Sequence, residues 1–179
     1  MTDERPYAVR PLGADDADAA GVVHVAVWRE AYADDMPKEY LSALDPKVIA
    51  RRFRLRAEVE DLEALCFVAI DEVGEVVGMA AAGATRDAGA PTAWELYSIN
   101  TLERVHGTSV ADALLAAVVG DRDASLWVLA TNARARRFYG RHGFVGDGAR
   151  KPQEATGAEE IRMVRRSHPH EPAGEPGPR

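Results

Sequence analysis

Residues 126–144 read LWVLATNARARRFYGRHGF and carry the clearest structural signal in the chain. The stretch opens with an apolar run of strand character, and Asn132 follows as a residue type that caps helices well. Ala135, Phe138 and Tyr139 come next at helical spacing, so Phe138 can face a core while Tyr139 lies on the neighbouring face. Gly143 then ends the helix. The stretch predicts a strand, a capped helix and a glycine stop.

A second informative stretch lies upstream at residues 104–111, RVHGTSVA, between a predicted strand at 93–101 and a predicted helix at 110–119. Small residues at such a junction point successive backbone N–H groups outward at the positive end of the helix, which suits a phosphate or pyrophosphate. The stretch is neither a GxxxxGK[ST] loop nor a GxGxxG fingerprint, so ordinary nucleoside triphosphates and dinucleotides are not indicated. Taken alone, it is also compatible with a plain strand-to-helix turn.

The remaining pattern interleaves helices and strands. An opening strand is predicted at 7–11 and helix starts at Asp15 and at Asp45-Pro46, where an N-cap residue precedes a proline. Apolar runs at 65–70 and 76–82 flank an acidic, glycine-containing turn and predict a β-hairpin. Further elements are a helix at 133–142 and a last strand at 160–164. These elements predict one α+β domain around a mixed sheet over residues 1–166, and a disordered Pro/Gly-rich tail at 167–179.

Composition excludes several classes of protein. Hydrophobic residues make up 46% and charged residues 28% of the 179-residue chain, which is typical of a globular domain. The single cysteine, Cys66, excludes an internal disulfide and a cysteine-ligated zinc or iron–sulfur site. The chain lacks a membrane-length apolar run and a signal-like start, so we expect a soluble cytoplasmic protein without a membrane partner. A net charge of −7 argues against nucleic acid as a partner, although clustered arginines at 51–56 and 134–141 leave a local anionic ligand open.

The two informative stretches together resemble the GNAT superfamily, the Gcn5-related N-acetyltransferases. At residues 104–111 the family pattern is Gln or Arg, two variable residues, Gly, one variable residue, then Gly or Ala; this chain has Arg104, Gly107 and Ser109, with Ala111 two places on. Residues 132–144 closely match the family's Asn–Ala–x–x–x–x–Phe–Tyr–x–x–x–Gly–Phe segment. The resemblance extends from residue 7 to about 164. The departures are Ser109 for a small glycine and His106 for a common arginine.

The resemblance implies a GNAT fold, a central mixed and mostly antiparallel twisted sheet flanked by helices. It also implies an acetyl-CoA-dependent N-acetyltransferase that uses no metal and moves an acetyl group to a primary amine of a small molecule or peptide. The reaction would be a direct attack in a ternary complex. Carried over residue by residue, the acetyl-CoA contacts are Ile99, Asn100, Thr101, Arg104, His106, Gly107, Thr108, Ser109, Val110, Ala111 and Asn132. Trp28 and Tyr32, which with Pro37 resemble a pattern seen in many of these enzymes, are expected to contact the acceptor.

Two residues are expected to be catalytic. By resemblance, Tyr139 donates a proton to the departing CoA thiolate; the alternative is an aromatic side chain that packs on the sheet. Glu95 lies within an apolar strand, where an acid is unusual. In related enzymes a Glu on this strand faces the acceptor cleft and acts as a base, often through water. The alternative for Glu95 is a solvated carboxylate at a sheet edge.

Two rival functions remain open at the level of sequence. The first is a GNAT-fold protein that binds acyl-CoA as a sensor or scaffold without turnover. The second is a resemblance in fold alone, with the clustered arginines binding another anionic ligand. The resemblance also leaves room for a homodimer. The identity of the acceptor is not encoded in these motifs, because loops and the N-terminal helices determine it.

Overall fold

A computed structural model describes residues 7–33, 35–58, 64–154 and 156–167, and all structural statements below concern these residues. Apart from Ser167, the predicted tail lies outside them. The strands are β1 (Tyr7–Pro11), β2 (Ala64–Asp71), β3 (Val76–Ala84), β4 (Trp94–Thr101), β5 (Ala124–Leu129), β6 (Val145–Pro152) and β7 (Glu159–Arg165). The helices are α1 (Ala17–Ala31), α2 (Lys38–Ala43), α3 (Pro46–Glu58), α4 (Val110–Val119) and α5 (Ala133–Arg141).

The seven strands form one sheet in the order β1-β2-β3-β4-β5-β7-β6. Neighbouring strands are antiparallel except for β4 and β5, which run parallel because α4 crosses over between them. The last strand, β7, inserts between β5 and β6. The mixed, mostly antiparallel sheet of the predicted α+β domain is therefore confirmed.

The predicted helix signals act as expected. The Asp45 carboxylate accepts a hydrogen bond from the Lys47 amide at 2.8 Å, directly before Pro46 begins α3. Asn132 accepts from the Ala135 amide at 2.9 Å and caps α5. Gly120, at φ 55°, follows the last residue of α4. The side-chain contacts of Asp45 and Asn132 each satisfy a backbone N–H that the helix start leaves without an intrahelical partner.

Helices cover both faces of the sheet. Helix α4 packs its apolar side on β2, β3 and β4, and its residues Leu114, Leu115 and Val118 are almost fully buried. Helices α1 and α3 cover the opposite face. These two helices approach closely at Gly21, where an added Cβ atom would lie 2.4 Å from the Pro46 carbonyl oxygen. Only glycine allows that contact, which brings α1 and its aromatic residues tightly against the sheet.

Two elements have no counterpart in the prediction from sequence. Strand β6 is mostly exposed and reads VGDGARKP, so it lacks the alternating apolar pattern that identifies a strand. Its pairing with β7, interrupted by a register shift between Gly146 and Arg150, holds it in place. Helix α2 spans six residues, too short to show helical periodicity. No helix in the described ranges has the length and apolar character needed to cross a bilayer.

Candidate active site

A cleft opens where the two parallel strands separate. Strands β4 and β5 pair at Glu95 with Ser125 and at Leu96 with Leu126. Beyond these residues they do not pair with each other, although β4 continues to Thr101 and β5 to Leu129. On its other side β4 carries an extra residue, since Ala81 pairs with Ser98 but Ala82 pairs with Leu96. This bulge falls at Tyr97 and re-aims the strand. The resulting cavity has a volume of about 530 Å³.

One side of the cleft is the turn before α4. Gly107 has φ 79°, a left-handed conformation that favours glycine. Among the described residues, the backbone N–H groups of Gly107, Ser109 and Ala111 have no hydrogen-bond acceptor. Gly107, Thr108 and Ala111 line the cleft, whereas Ser109 and the buried Val110 do not. The turn therefore presents unpaired amides at the positive end of a ten-residue helix.

The side chains of this turn are held in place. The Thr108 hydroxyl donates to the Val105 carbonyl at 2.7 Å. The Ser109 hydroxyl is hydrogen-bonded to the Tyr7 hydroxyl of β1. The Ser109 side chain thus links the turn to the edge strand β1. Its hydroxyl has a hydrogen-bond partner, whereas its backbone N–H has none in the described part of the chain. The substitution of serine for the family's small glycine leaves the amide available.

Basic side chains lie beside the turn. His106 lines the cleft, and its Nε2 atom lies 3.0 Å from the Thr101 carbonyl oxygen. The Arg134 guanidinium lies against the same ring, with one nitrogen 2.6 Å from His106 Nδ1 and another 3.1 Å from Nε2. Arg134, Arg137 and Arg141 of α5 all line the cleft. Arg134 therefore supplies a guanidinium beside the position where the family commonly has an arginine and this chain has His106.

Arg104 does not line the cleft. Its guanidinium forms ion pairs at 2.8 Å with Asp71 and with Glu75 of the β2–β3 turn. Its side chain thus ties the turn before α4 to the hairpin. Ile99, Thr101 and Asn132, three other expected acetyl-CoA contacts, do line the cleft.

A row of rings follows α1. His24 stacks on Trp28 at 5.1 Å between ring centroids, and Trp28 packs edge-on against Tyr32 at 5.1 Å. Burial, with a smaller contribution from Arg52, lowers the pKa of His24 to about 4, so its ring is neutral near pH 7. The neutral Nδ1 lies 3.3 Å from the amide nitrogen of the buried Asn100. Trp28, Tyr32 and Asn100 all line the cleft.

Tyr139 lies in the floor of the cleft and is almost fully buried. Its ring packs edge-on against Phe138 and Phe144. Burial, with a smaller contribution from Tyr32, raises the pKa of Tyr139 well above its usual value. Its hydroxyl makes no hydrogen bond within the described residues and stays protonated at neutral pH. It is a proton donor without a protein acceptor.

Glu95 does not line the cleft. Its carboxylate is almost fully buried, and both oxygens contact Arg86: Oε1 lies 2.5 Å from a guanidinium nitrogen and Oε2 accepts from the backbone N–H at 2.9 Å. The expected position in the acceptor cleft is therefore not where the structure places this side chain. The edge-facing solvated alternative does not describe it either, because the carboxylate is buried and paired.

Comparison with known proteins identifies the family. The sequence profile of the acetyltransferase (GNAT) family matches residues 25–144, about two thirds of the chain. This chain belongs to the GNAT acetyltransferase family. It is also 34% identical over 108 residues to the uncharacterized N-acetyltransferase YuaI of Bacillus subtilis, a match that spans 60% of each chain.

Solved structures support the same fold. The PaiA N-acetyltransferase of Thermoplasma acidophilum, solved in complex with coenzyme A, superposes with a TM-score of 0.68 at 15% identity, covering 90% of this chain and 99% of that one. A Corynebacterium glutamicum structure described as histone acetyltransferase HPA2 and related acetyltransferase superposes with a TM-score of 0.64 at 26% identity, covering 90% and 97%. The GNAT fold expected from the sequence is confirmed.

This member of the GNAT family has cleft residues that the motifs did not reveal. Tyr97, Trp127 and Glu160 line the cavity, yet none belongs to the two informative stretches in a recognisable role. Tyr97 reaches the cleft through the bulge, and Glu160 reaches it because β7 pairs with β5. An acid beside apolar residues in a predicted last strand was the available signal for Glu160.

The chemistry that this site can perform follows from its parts. Unpaired amides and arginines suit an anion, and Tyr139 can donate a proton. Among the described residues, no three His, Cys, Asp or Glu side chains converge as a metal ion would require. Burial raises the pKa of the Cys66 thiol to about 11, so the thiol is protonated at neutral pH and a poor nucleophile.

Proposed function

We propose that this protein is an acetyl-CoA-dependent N-acetyltransferase that acetylates a primary amine of a small molecule or peptide. Transfer would be a direct attack within a ternary complex of enzyme, acetyl-CoA and amine. The observation that carries the proposal is the turn before α4, where the amides of Gly107, Ser109 and Ala111 are unpaired and where Gly107 and Ala111 line the same cleft as Tyr139.

The fit to acetyl-CoA rests on charge and on hydrogen bonding. The free N–H groups of Gly107, Ser109 and Ala111 can donate to the pyrophosphate, which the helix end also favours electrostatically. Arg134 lies within the same cleft and can pair with a phosphate oxygen. We infer that Ile99, Asn100 and Thr101 follow the pantetheine arm along β4. A GNAT neighbour solved with coenzyme A is consistent with this assignment.

The reaction requires two proton movements. The thioester supplies an acetyl group whose transfer expels a thiolate, and Tyr139 can donate its proton to that sulfur. An alkyl ammonium with a pKa near ~10.4 is about 99.9% protonated at pH 7, so the amine must lose a proton before it attacks. A positioned acid and a positioned base each supply about 10²–10⁴-fold. Trp28 and Tyr32, on the helix that borders the cleft, are the proposed acceptor contacts.

Two measurements test the proposal. Isothermal titration should show acetyl-CoA binding to the full chain at one site. Release of free thiol from acetyl-CoA should then depend on adding a primary amine from a panel of small amines and peptides. Absence of acetyl-CoA binding contradicts the proposal outright.

A second candidate function is an acyl-CoA sensor or scaffold without turnover. The observation that favours it is the pairing of Glu95 with Arg86, which removes the expected base from the cleft. This candidate predicts acetyl-CoA binding in the titration and no amine-dependent thiol release. Amine-dependent release at any point of the panel excludes it.

A further inference from the structure

We propose that Glu160 binds the ammonium group of the acetyl acceptor and that the acceptor is therefore a cationic amine carrying an aromatic or apolar body. The inference rests on the proposed function and deepens it by naming the class of substrate. Glu160 belongs to β7, outside both informative stretches of the sequence.

The first argument is the state of the cleft's carboxylates. Among the described residues, the carboxylates that line the cavity are those of Asp112 and Glu160. The Asp112 carboxylate is already paired, since its Oδ1 lies 2.7 Å from Nε2 of His142. Within the described ranges, the Glu160 carboxylate forms no hydrogen bond and no ion pair. Glu160 is thus the carboxylate of this cavity that is left to receive a cation.

The second argument is that the natural partner of Glu160 is engaged elsewhere. Lys151 faces Glu160 across the β6–β7 pair, where opposite charges would normally meet. Instead the Lys151 ammonium pairs with Asp87 at 3.5 Å and lies 4.3 Å from the centroid of the Trp127 ring. Arg86, the other basic side chain acting on Glu160, is paired with Glu95.

The third argument is the surroundings of the carboxylate. Aromatic residues line the same cavity, among them Trp28, Tyr32, Tyr97 and Trp127. Aromatic faces attract cations and bind apolar groups, so a ring-bearing or apolar amine is complementary to this wall. An ammonium placed at Glu160 would gain a charge-assisted hydrogen bond in a partly dry site, which is stronger than one in water.

The direction of the Glu160 pKa shift is consistent with a carboxylate that lacks a bound cation. Burial raises the pKa of Glu160, and the negative charges of Asp87 and Glu154 add to this rise. The positive charges of Lys151 and Arg86 lower the pKa, but by less than burial raises it. The nearby Tyr32 in turn has a raised pKa, caused by burial first and by Glu160 second. A bound ammonium would offset the cost of burying this charge.

The experiment compares a cation with its neutral analogue. Quenching of tryptophan fluorescence is followed while 2-phenylethylamine or 2-phenylethanol is titrated into the full chain, since Trp28 and Trp127 line the cavity. The wild-type protein should bind the amine at least about tenfold more tightly than the alcohol. Glu160→Gln should reduce that preference to about twofold or less. The matched control is Glu159→Gln, which removes the neighbouring exposed carboxylate on β7 and should keep the preference.

Several outcomes overturn the inference. Equal binding of the two compounds by wild type, no binding of the amine, or an unchanged preference in Glu160→Gln would each do so.

Thermal melting checks that the variant is folded. Because burial raises the pKa of Glu160, its ionised form lowers the stability of the fold at pH 7. Glu160→Gln should therefore melt at an equal or higher temperature than wild type. Failure of the proposed function gives a different result. The protein then binds no acetyl-CoA, or releases no thiol when an amine is added, while its preference for the amine over the alcohol can still be measured.

Discussion

Glu95 accepts two hydrogen bonds from Arg86. Its Oε1 lies 2.5 Å from a guanidinium nitrogen, and its Oε2 accepts from the backbone N–H at 2.9 Å. The held guanidinium lies 4.2 Å from the centroid of the Tyr97 ring, and Tyr97 lines the cleft. Glu95 is therefore connected to the cleft by contacts through Arg86 and the Tyr97 ring, although it does not line the cleft.

This relationship gives the first prediction, which concerns Glu95→Gln. We expect a pH-independent loss of turnover and a loss of about 1–2 kcal/mol of stability, because the glutamine keeps the backbone contact but loses the charge-assisted bond. Arg86→Gln should reduce turnover to a similar extent, and the double variant should be no worse than either. The measurement is kcat against pH. A deficit of about 10²-fold that shrinks as pH rises toward the pKa of the amine would restore Glu95 as the general base predicted from sequence.

The second prediction concerns Tyr139→Phe. The ring and its contacts with Phe138 and Phe144 remain, and the hydroxyl that is removed has no protein acceptor, so the melting temperature should change little. Turnover should fall by about 10²-fold because the proton donor is lost. Steady-state kinetics and acetyl-CoA titration check the two halves. Tyr40→Phe, which changes a tyrosine outside the cleft lining, is the control; normal turnover in Tyr139→Phe would assign Tyr139 to packing.

The third prediction concerns the turn before α4. Gly107 has φ 79°, so Gly107→Ala should cost about 1–2 kcal/mol of stability. An added Cβ meets no protein atom within 4 Å, so any steric obstruction by the alanine would be to the bound ligand. We expect at least a tenfold loss of acetyl-CoA affinity. Gly148→Ala is the matched control, since Gly148 has φ 88°, equally open surroundings and no place in the cleft. Equal affinities in the two variants would contradict the assignment of the turn.

The fourth prediction uses the pKa of His24, lowered from 6.5 to about 4 by burial. Between these two values the unfolded chain binds a proton that the folded protein does not, so stability falls as pH falls from about 6.5 to 4. The loss should approach about 3 kcal/mol by pH 4. His24→Gln keeps an acceptor for Asn100 and removes the titrating ring, so this part of the loss should disappear. Urea unfolding at a series of pH values measures it. An identical slope in the variant would show that His24 is not the group responsible.

The sequence by itself determined most of the elements and the family. Asp45-Pro46, Asn132 and Gly120 mark helix ends because each satisfies or releases backbone groups through local chemistry alone. The hairpin at residues 71–75 is likewise local. The match of residues 132–144 to the family pattern depends only on residue identity and spacing. Such signals need no knowledge of distant parts of the chain.

The tertiary structure decided which side chains meet in the cleft. The bulge at Tyr97 and the separation of β4 from β5 create the cavity, and both depend on pairing between distant strands. Glu95 is paired because Arg86 lies nearby across the β3–β4 connection, and Glu160 faces the cavity because β7 inserts beside β5. A one-residue change of register would turn such a side chain to the opposite face, and strand register is set by long-range pairing that local sequence does not specify.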